Sequence, residues 1–277
     1  VFENKSLPFV KGKVWMGFNK PHISSILNPM NSSFLTPEEL ERYSRQLAIP
    51  GWDEQAQLRL KEAHVGIAGV GGLGSPVSLY LAAAGIGKLT LCDYQGVERS
   101  NLNRQILYSE TDLDRSKMDQ AVTRLQGLNS LINVEGHSRL IKDSSVAEIF
   151  SGCDLVVDCL DNFDARHVLN RWCWTQGITL IHGGIRELHG QFYVMKPPDT
   201  PCLACFLPGQ DDKTGQTPVA GPVAGVLGTL QAIEALKYLS EVVSIQSGVL
   251  RMVDLVSMSI ESVEVPRRAN CNVCGQA

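Results

Sequence analysis

The 277-residue sequence has no apolar run approaching the ~18 residues that a membrane span requires, so no membrane association is expected. Its formal net charge is -4, with no basic cluster set against that balance, so nothing points to a nucleic-acid partner. The N-terminus lacks the basic-then-apolar layout of a secretion signal, and the expected location is cytoplasmic. Internal repeats and low-complexity tracts are also missing, so the chain does not read as a repeat array. What is present is the composition of a soluble globular protein, 44% apolar and 19% charged, long enough to bury a substantial core.

Residues 1–35 show no clean period and no caps and are expected to be an N-terminal extension. At "TPEE", Thr36 suits an N-cap, Pro37 the first helical position and Glu39 the reciprocal half of a capping box. One helix is therefore expected over 38–46 and a second over 53–62. An alternation follows: strands at "HVGIAG", "KLTLCD", "NVEGHS", "DLVVDC" and "ITLIHG", with helices at 73–84, 116–128, 144–150 and 165–176 between them. Such alternation predicts right-handed βαβ units and an α/β fold, a doubly wound, Rossmann-like, mostly parallel sheet. "GQFYVM", "GVLRMVDL" and "SIESVEV" alternate like half-exposed strands around one long helix over 221–239. They predict an antiparallel C-terminal extension within a single domain over 36–277.

"AGVGGLGSP" places Gly69, Gly71 and Gly74 in a G-x-G-x-x-G loop between a strand and a helix, with Asp93 ending the next strand. Backbone N–H groups and a helix N-terminus there face phosphate, and Asp93 can accept from ribose hydroxyls. The loop alone fits NAD as well as ATP. "ERSNLNRQ" then supplies Asn101 and Arg104, and Lys117 follows thirteen residues after Arg104. Fixed cations beside a pyrophosphate serve phosphoryl or nucleotidyl transfer, in which charge builds on the phosphorus oxygens. Asp161, at the carboxyl edge of the fourth strand, can hold Mg²⁺ between phosphate oxygens. Each residue singly could be a solvated charge; their placement after successive strands favours ATP.

The segments "RYSRQ", "GVGGLGSP", "SNLNRQ", "RSKMDQA", "DCLDN", "PCLAC" and "CNVCG" resemble, in order, those of the MoeB/ThiF/HesA family, bacterial relatives of ubiquitin-activating enzymes. The resemblance spans about residues 36–277. It implies a homodimeric adenylyltransferase that uses Mg-ATP to activate the C-terminal Gly-Gly carboxylate of a ubiquitin-like β-grasp sulfur-carrier protein, as in molybdopterin synthesis. By it, Gly72 lies against the nucleotide, Asp93 binds ribose, and Asn101, Arg104 and Lys117 contact the phosphates. Asp161 contacts Mg²⁺, with Asn162 beside it in the cofactor site, and Arg45 reaches the neighbouring subunit's site as an arginine finger. From its residues alone, Arg45 reads as a salt-bridged helix position. A thiamine-type or other sulfur-transfer enzyme, or one acting on a peptide, is the rival within the family. An NAD-dependent oxidoreductase is the rival outside it, as is an adapter that only docks the carrier.

Eight cysteines complete the inventory. Cys202/Cys205 and Cys271/Cys274 form two C-x-x-C pairs about 65 residues apart, a set that suits a closed, structural Zn²⁺ site. Disulfides or redox thiols are the alternatives; the family places zinc at matching cysteines. Some relatives carry a further, adduct-forming cysteine in the loop that here reads "FLPGQDDKTGQTPVAGP", which has none; Thr214 stands near its place. Cys92, Cys159 and Cys173 read as packing residues, with Cys153 less decided. The missing nucleophile favours the MoeB mode, in which the enzyme makes an acyl-adenylate and sulfur arrives from elsewhere.

Overall fold

The computed structural model of the chain describes residues 34–207 and 217–275. The extension expected over 1–35, apart from its last two residues, lies outside them, as do Asp211, Asp212, Lys213, Thr214 and Gln216. The first expected helix is in fact two, α1 (Pro37–Arg42) and α2 (Ser44–Leu47). Thr36 and Glu39 make the predicted capping box, Thr36 Oγ1 accepting from the Glu39 N–H at 3.2 Å and a Glu39 carboxylate oxygen accepting from the Thr36 N–H at 2.7 Å. The helix breaks at Tyr43 because that ring turns inward, 3% exposed, against Gly85. Its hydroxyl accepts from Asn129 Nδ2 at 3.0 Å. The tertiary contact outweighs local helix propensity, which is a weak preference. α3 (Glu54–Glu62) follows, capped by Asp53, whose Oδ1 accepts from the Ala56 N–H.

The alternating core then runs β1 (His64–Ala68), α4 (Gly74–Ala84), β2 (Lys88–Cys92), α5 (Lys117–Leu128), β3 (Asn133–His137), α6 (Val146–Phe150), β4 (Leu155–Asp158), α7 (Phe163–Gln176) and β5 (Thr179–Arg186). β6 (His189–Met195), the long α8 (Gly221–Ser240), β7 (Val249–Asp254) and β8 (Ser259–Glu264) complete it. One eight-stranded sheet has the order β3-β2-β1-β4-β5-β6-β7-β8. β1 to β5 pair in parallel and β6 to β8 add on antiparallel, as the sequence pattern predicts.

Strand residues of the parallel core alternate between two apolar layers. Val65, Ile67, Leu155, Val157 and Ile181 pack with α3, α4, α5 and α8 residues such as Leu60, Leu81, Leu125 and Leu227. Ala68, Val156 and Leu180 face the other way, with Phe150, Leu169 and Cys173 of α6 and α7. Both faces are covered, so the strands are apolar throughout rather than amphipathic. The order reverses at β1, whose neighbours are β2 and β4, and a doubly wound sheet opens a crevice at the carboxyl end of such a switch point. Among the described residues, no helix is long and apolar enough to cross a membrane.

α8 crosses α4 so closely that a Cβ on Gly228 would lie 2.5 Å from Pro76 Cγ and 2.6 Å from the Leu73 carbonyl oxygen. Gly225, three residues earlier in the same helix, has nothing within 4 Å of its Cβ position. Alanine should therefore have opposite effects at these sites. Gly225→Ala is expected to stabilise by up to about 1 kcal/mol through helix propensity. Gly228→Ala should destabilise by about 1–3 kcal/mol by overpacking. Denaturant midpoints measured at constant m-value check the pair.

Candidate functional site

The crevice begins where β1 ends. Gly69 adopts φ +87°, and a Cβ on Gly74 would fall 2.0 Å from the Gly69 carbonyl oxygen, so α4 can start only if that position carries no side chain. Val70 is tied from two directions: its N–H donates to Asp93 Oδ2 at 3.1 Å, and its carbonyl accepts from the Tyr108 hydroxyl at 3.0 Å. Gly71 lies beside the Gln105 amide, and Gly72 lies between Ala224 of α8 and the aliphatic stem of Arg104. Among the described residues, the N–H groups of Gly71 and Gly72 have no hydrogen-bond partner. Backbone donors left open over a helix N-terminus form a cradle for an anion, and the lack of side chains lets it approach.

Asp93 directly follows β2 and holds the loop in place. Its second oxygen accepts from the Gln95 N–H at 3.0 Å, and each oxygen still has a lone pair to offer. Gln95 in turn meets Lys117, whose ammonium donates to Gln95 Oε1 at 2.9 Å. Lys117 opens α5 and is 1% exposed. Burial pushes its pKa down, while Asp93, Asp161 and Glu98 pull it up and Arg104 opposes them. These interactions place Lys117 in the field of Asp93, Asp161 and Arg104 together. A buried ammonium with a single neutral partner is an incompletely satisfied cation, which an anionic ligand would complete.

Arg104 is half-buried and donates to the Ser100 carbonyl at 2.9 Å and Asn103 Oδ1 at 3.0 Å, leaving its remaining donors free for a ligand. Asn101 is largely committed to its own turn: Oδ1 accepts from the Glu98 N–H at 3.2 Å, and its backbone carbonyl accepts from Arg104 and Gln105. Asp161 is exposed three residues beyond β4. Asn162 caps α7 through Oδ1, which accepts from the Ala165 N–H at 2.9 Å, and only its amide NH₂ is left for a ligand. Arg45 is not near this group. Its segment is fixed at the far end of α4, where Gln46 Nε2 donates to the Ala84 carbonyl. Eleven residues of α4 separate that end from the glycine loop, about 16 Å of helix.

Several neighbours of the site were not singled out from the sequence. Gln105, the last residue of "SNLNRQ", is buried, with its Oε1 unpartnered among the described residues. Gln95 and Tyr108 act through single hydrogen bonds to backbone or side chain and leave no spacing signal. Asp158, Arg166 and His182 form a buried polar cluster beneath the Asp161 segment.

The two C-x-x-C pairs converge. Cys202, Cys205, Cys271 and Cys274 are buried, and their four sulfurs all lie within 4.8 Å of one another. The Cys202–Cys271 and Cys205–Cys274 separations are 3.6 and 3.3 Å, too long for a disulfide. A tetrahedral ion with metal–sulfur bonds of about 2.3 Å implies sulfurs about 3.8 Å apart, so the set fits a metal. Burial pushes the Cys271 thiol up, but N–H groups of Cys274 and Val273 and the neighbouring thiols outweigh it and hold it at about 6. The knuckle is anchored to α7, where Asn170 Oδ1 accepts from the Leu203 N–H at 2.9 Å. Burial raises the remaining thiols: Cys92 and Cys153 to about 12, Cys159 and Cys173 well above the ordinary range. They serve as packing, Cys153 included.

A family model described as the ThiF family matches residues 43–273. The chain is 37% identical over 247 residues to the SAMP-activating enzyme E1 of Haloferax volcanii, covering 87% of this chain and 91% of that protein. It is 36% identical over 246 residues to the molybdopterin-synthase adenylyltransferase of Salmonella typhimurium, covering 87% and 99%. The adenylyltransferase and sulfurtransferase MOCS3 of Drosophila persimilis is 38% identical over 252 residues, 89% of this chain, which spans 56% of that longer protein. Among solved structures, E. coli MccB crystallised with ATP matches with a TM-score of 0.76 at 25% identity, covering 84% of this chain and 74% of that one. The chain belongs to the ThiF family.

Proposed function

We propose that this chain is an ATP-dependent adenylyltransferase that activates the C-terminal Gly-Gly carboxylate of a ubiquitin-like sulfur-carrier protein. Lys117 carries the reading: a cation buried beside an empty-handed glycine loop suits a polyphosphate whose charge rises during transfer. A nicotinamide dinucleotide needs no such cation, nor a carboxylate placed like Asp161. The names of the Haloferax and Salmonella relatives, activating enzyme and adenylyltransferase, supply the reaction class.

In this reading the open N–H groups of Gly71 and Gly72, together with Lys117 and Arg104, bind phosphate oxygens, and Asp93 accepts from the ribose hydroxyls. Asn101 contributes through the turn that presents Arg104, and the Asn162 amide remains available beside Asp161. Asp161 would hold Mg²⁺, which, when bound, offsets phosphate charge. The carrier's carboxylate is ionised at neutral pH and attacks the α-phosphorus directly; the bond to the bridging oxygen breaks and pyrophosphate leaves. No general base is needed, so catalysis rests on positioning and charge stabilisation. Arg45, exposed at the opposite end of α4 from its own loop, would complete the site of a second subunit in a homodimer. The four thiols would hold a structural Zn²⁺, with no coordination position left for water. Free and metal-binding thiols suit a reducing, cytoplasmic setting.

ATP:pyrophosphate exchange is expected only in the presence of a carrier ending in Gly-Gly. Asp161→Ala should abolish it without loss of fold, because the side chain is exposed and packs against no core. Lys117→Met should lower it about 10²-fold or more. Tight NADH binding with no exchange would overturn the reading.

Elemental analysis should find about one zinc per chain. Cys271→Ser should lower Tm or solubility while ATP affinity of the folded fraction is kept; a metal-free protein of normal stability would contradict the structural role.

With carrier and Mg-ATP, intact-mass analysis should show one AMP added to the carrier and an unchanged enzyme, because the described non-ligand thiols are buried and protonated at neutral pH. A thiol-sensitive band at the summed mass would restore a thioester-forming mode.

A further inference from the structure

Asp161 lies at the surface, but the segment that carries it is held from below by charges the proposed reaction does not use. Asp158 is fully buried. Its Oδ2 accepts from Arg166 Nε at 2.9 Å and from His182 Nδ1 at 2.7 Å, and its Oδ1 accepts from the Leu160 N–H at 3.0 Å. Arg166 also donates through Nη2 to the Leu160 carbonyl and, at 3.3 Å, to the Gly183 carbonyl. Gln231 of α8 donates to the backbone carbonyl of Asp158 at 2.9 Å. Leu160 is therefore gripped at both its N–H and its carbonyl. On the other side of Asp161, Asn162 is fixed as the cap of α7.

Replacing a buried ion pair by apolar groups of similar volume is often neutral or stabilising, so stability is a weak explanation for this one. What the pair gives is a defined backbone on both sides of Asp161. The Leu160 N–H, just beyond β4, and Arg166 of α7 already hold Asp158. His182 adds the link to β5, and its ring faces Asp158, Arg166, Gln191 and Phe206. An ionised Asp158 can only accept, so the His182 Nδ1 that faces it at 2.7 Å carries the hydrogen, and Nε2 of the neutral ring can accept from Gln191 Nε2 at 3.4 Å. The Phe206 ring packs edge-on at 6.2 Å and fills the remaining side.

We propose that His182 is a positioning residue, which through Asp158 fixes Leu160 and so sets the Asp161 carboxylate for the divalent cation of the bound nucleotide. The role of Asp161 in this statement rests on the adenylation reading above; the link from His182 to Leu160 does not.

Three variants of the full chain test it. His182→Leu removes the donor, His182→Asn offers an amide donor near the Nδ1 position, and Gln191→Leu removes only the group that orients the ring. Amide hydrogen exchange on the nucleotide-free protein should speed up about tenfold or more over 159–162 in His182→Leu, with strands β1 and β2 unchanged. In His182→Asn it should stay within about twofold of the parent chain. In pyrophosphate exchange, His182→Leu should raise the Mg²⁺ concentration for half-maximal rate about tenfold while kcat at saturating Mg²⁺ falls less than about threefold, and His182→Asn should restore both. Unchanged exchange over 159–162, or a loss of kcat with no change in Mg²⁺ dependence, would overturn the proposal. If His182→Leu does not fold, Gln191→Leu decides. A rise of about threefold in both measures supports the positioning role, and behaviour like the parent chain refutes it. A parent chain that performs no pyrophosphate exchange would count against adenylation alone, since the hydrogen-exchange comparison still tests the link between His182 and Leu160.

Discussion

At the end of β1 two stretches of backbone meet without a side chain between them. The Gly69 carbonyl occupies the space where a Cβ on Gly74 would stand, and the rest of the site takes its place from that contact. It lets α4 begin immediately after the turn, so the helix N-terminus and the open N–H groups of the loop point into the same crevice. Because α4 starts there, α8 can cross it at Pro76 and Leu73 and cover Gly72 with Ala224. The crevice also coincides with the reversal of strand order between β2 and β4. Helices leave the sheet on opposite faces there.

Two kinds of buried charge lie around this opening, and they differ in how completely they are satisfied. Asp158 has every near neighbour it needs: a guanidinium, an imidazole and a backbone N–H. Arg166 and the hydrogen bonds hold its pKa below the ordinary carboxylate range even though burial pushes the other way. Such a group is fixed and inert. Lys117 is the opposite case, an ammonium with one amide partner and carboxylates at a distance. Its local field is unfinished until an anion arrives. One network is closed and the other open, and in the adenylation reading the open one belongs to the phosphate site.

Much of this was legible in the sequence, for definite reasons. Strand and helix positions follow from periodicity, and apart from the break at Tyr43 the departures are of one to three residues at the ends, the largest at β5, which runs on to Arg186. The residues of the crevice, Gly69 to Gly74, Asp93, Arg104, Lys117 and Asp161, follow successive strands, so a linear pattern carries their arrangement. The break at Tyr43 was not legible, because it depends on Asn129, 86 residues away. His182, Gln191 and Gln231 escaped for a related reason. Their partners are set by strand register and by the crossing of α8, which no local spacing records. The roles of Gln95 and Gln105 depend on which way an amide points, and a sequence does not give that.

The four thiols join segments 69 residues apart in the chain. Between them lie α8, β7 and β8, which cover one face of the parallel core and widen the sheet. During synthesis the second pair leaves the ribosome only after all three of those elements. On the ribosome the cluster can therefore form only after α8, β7 and β8 have been made, as a late closure of the loop that holds them.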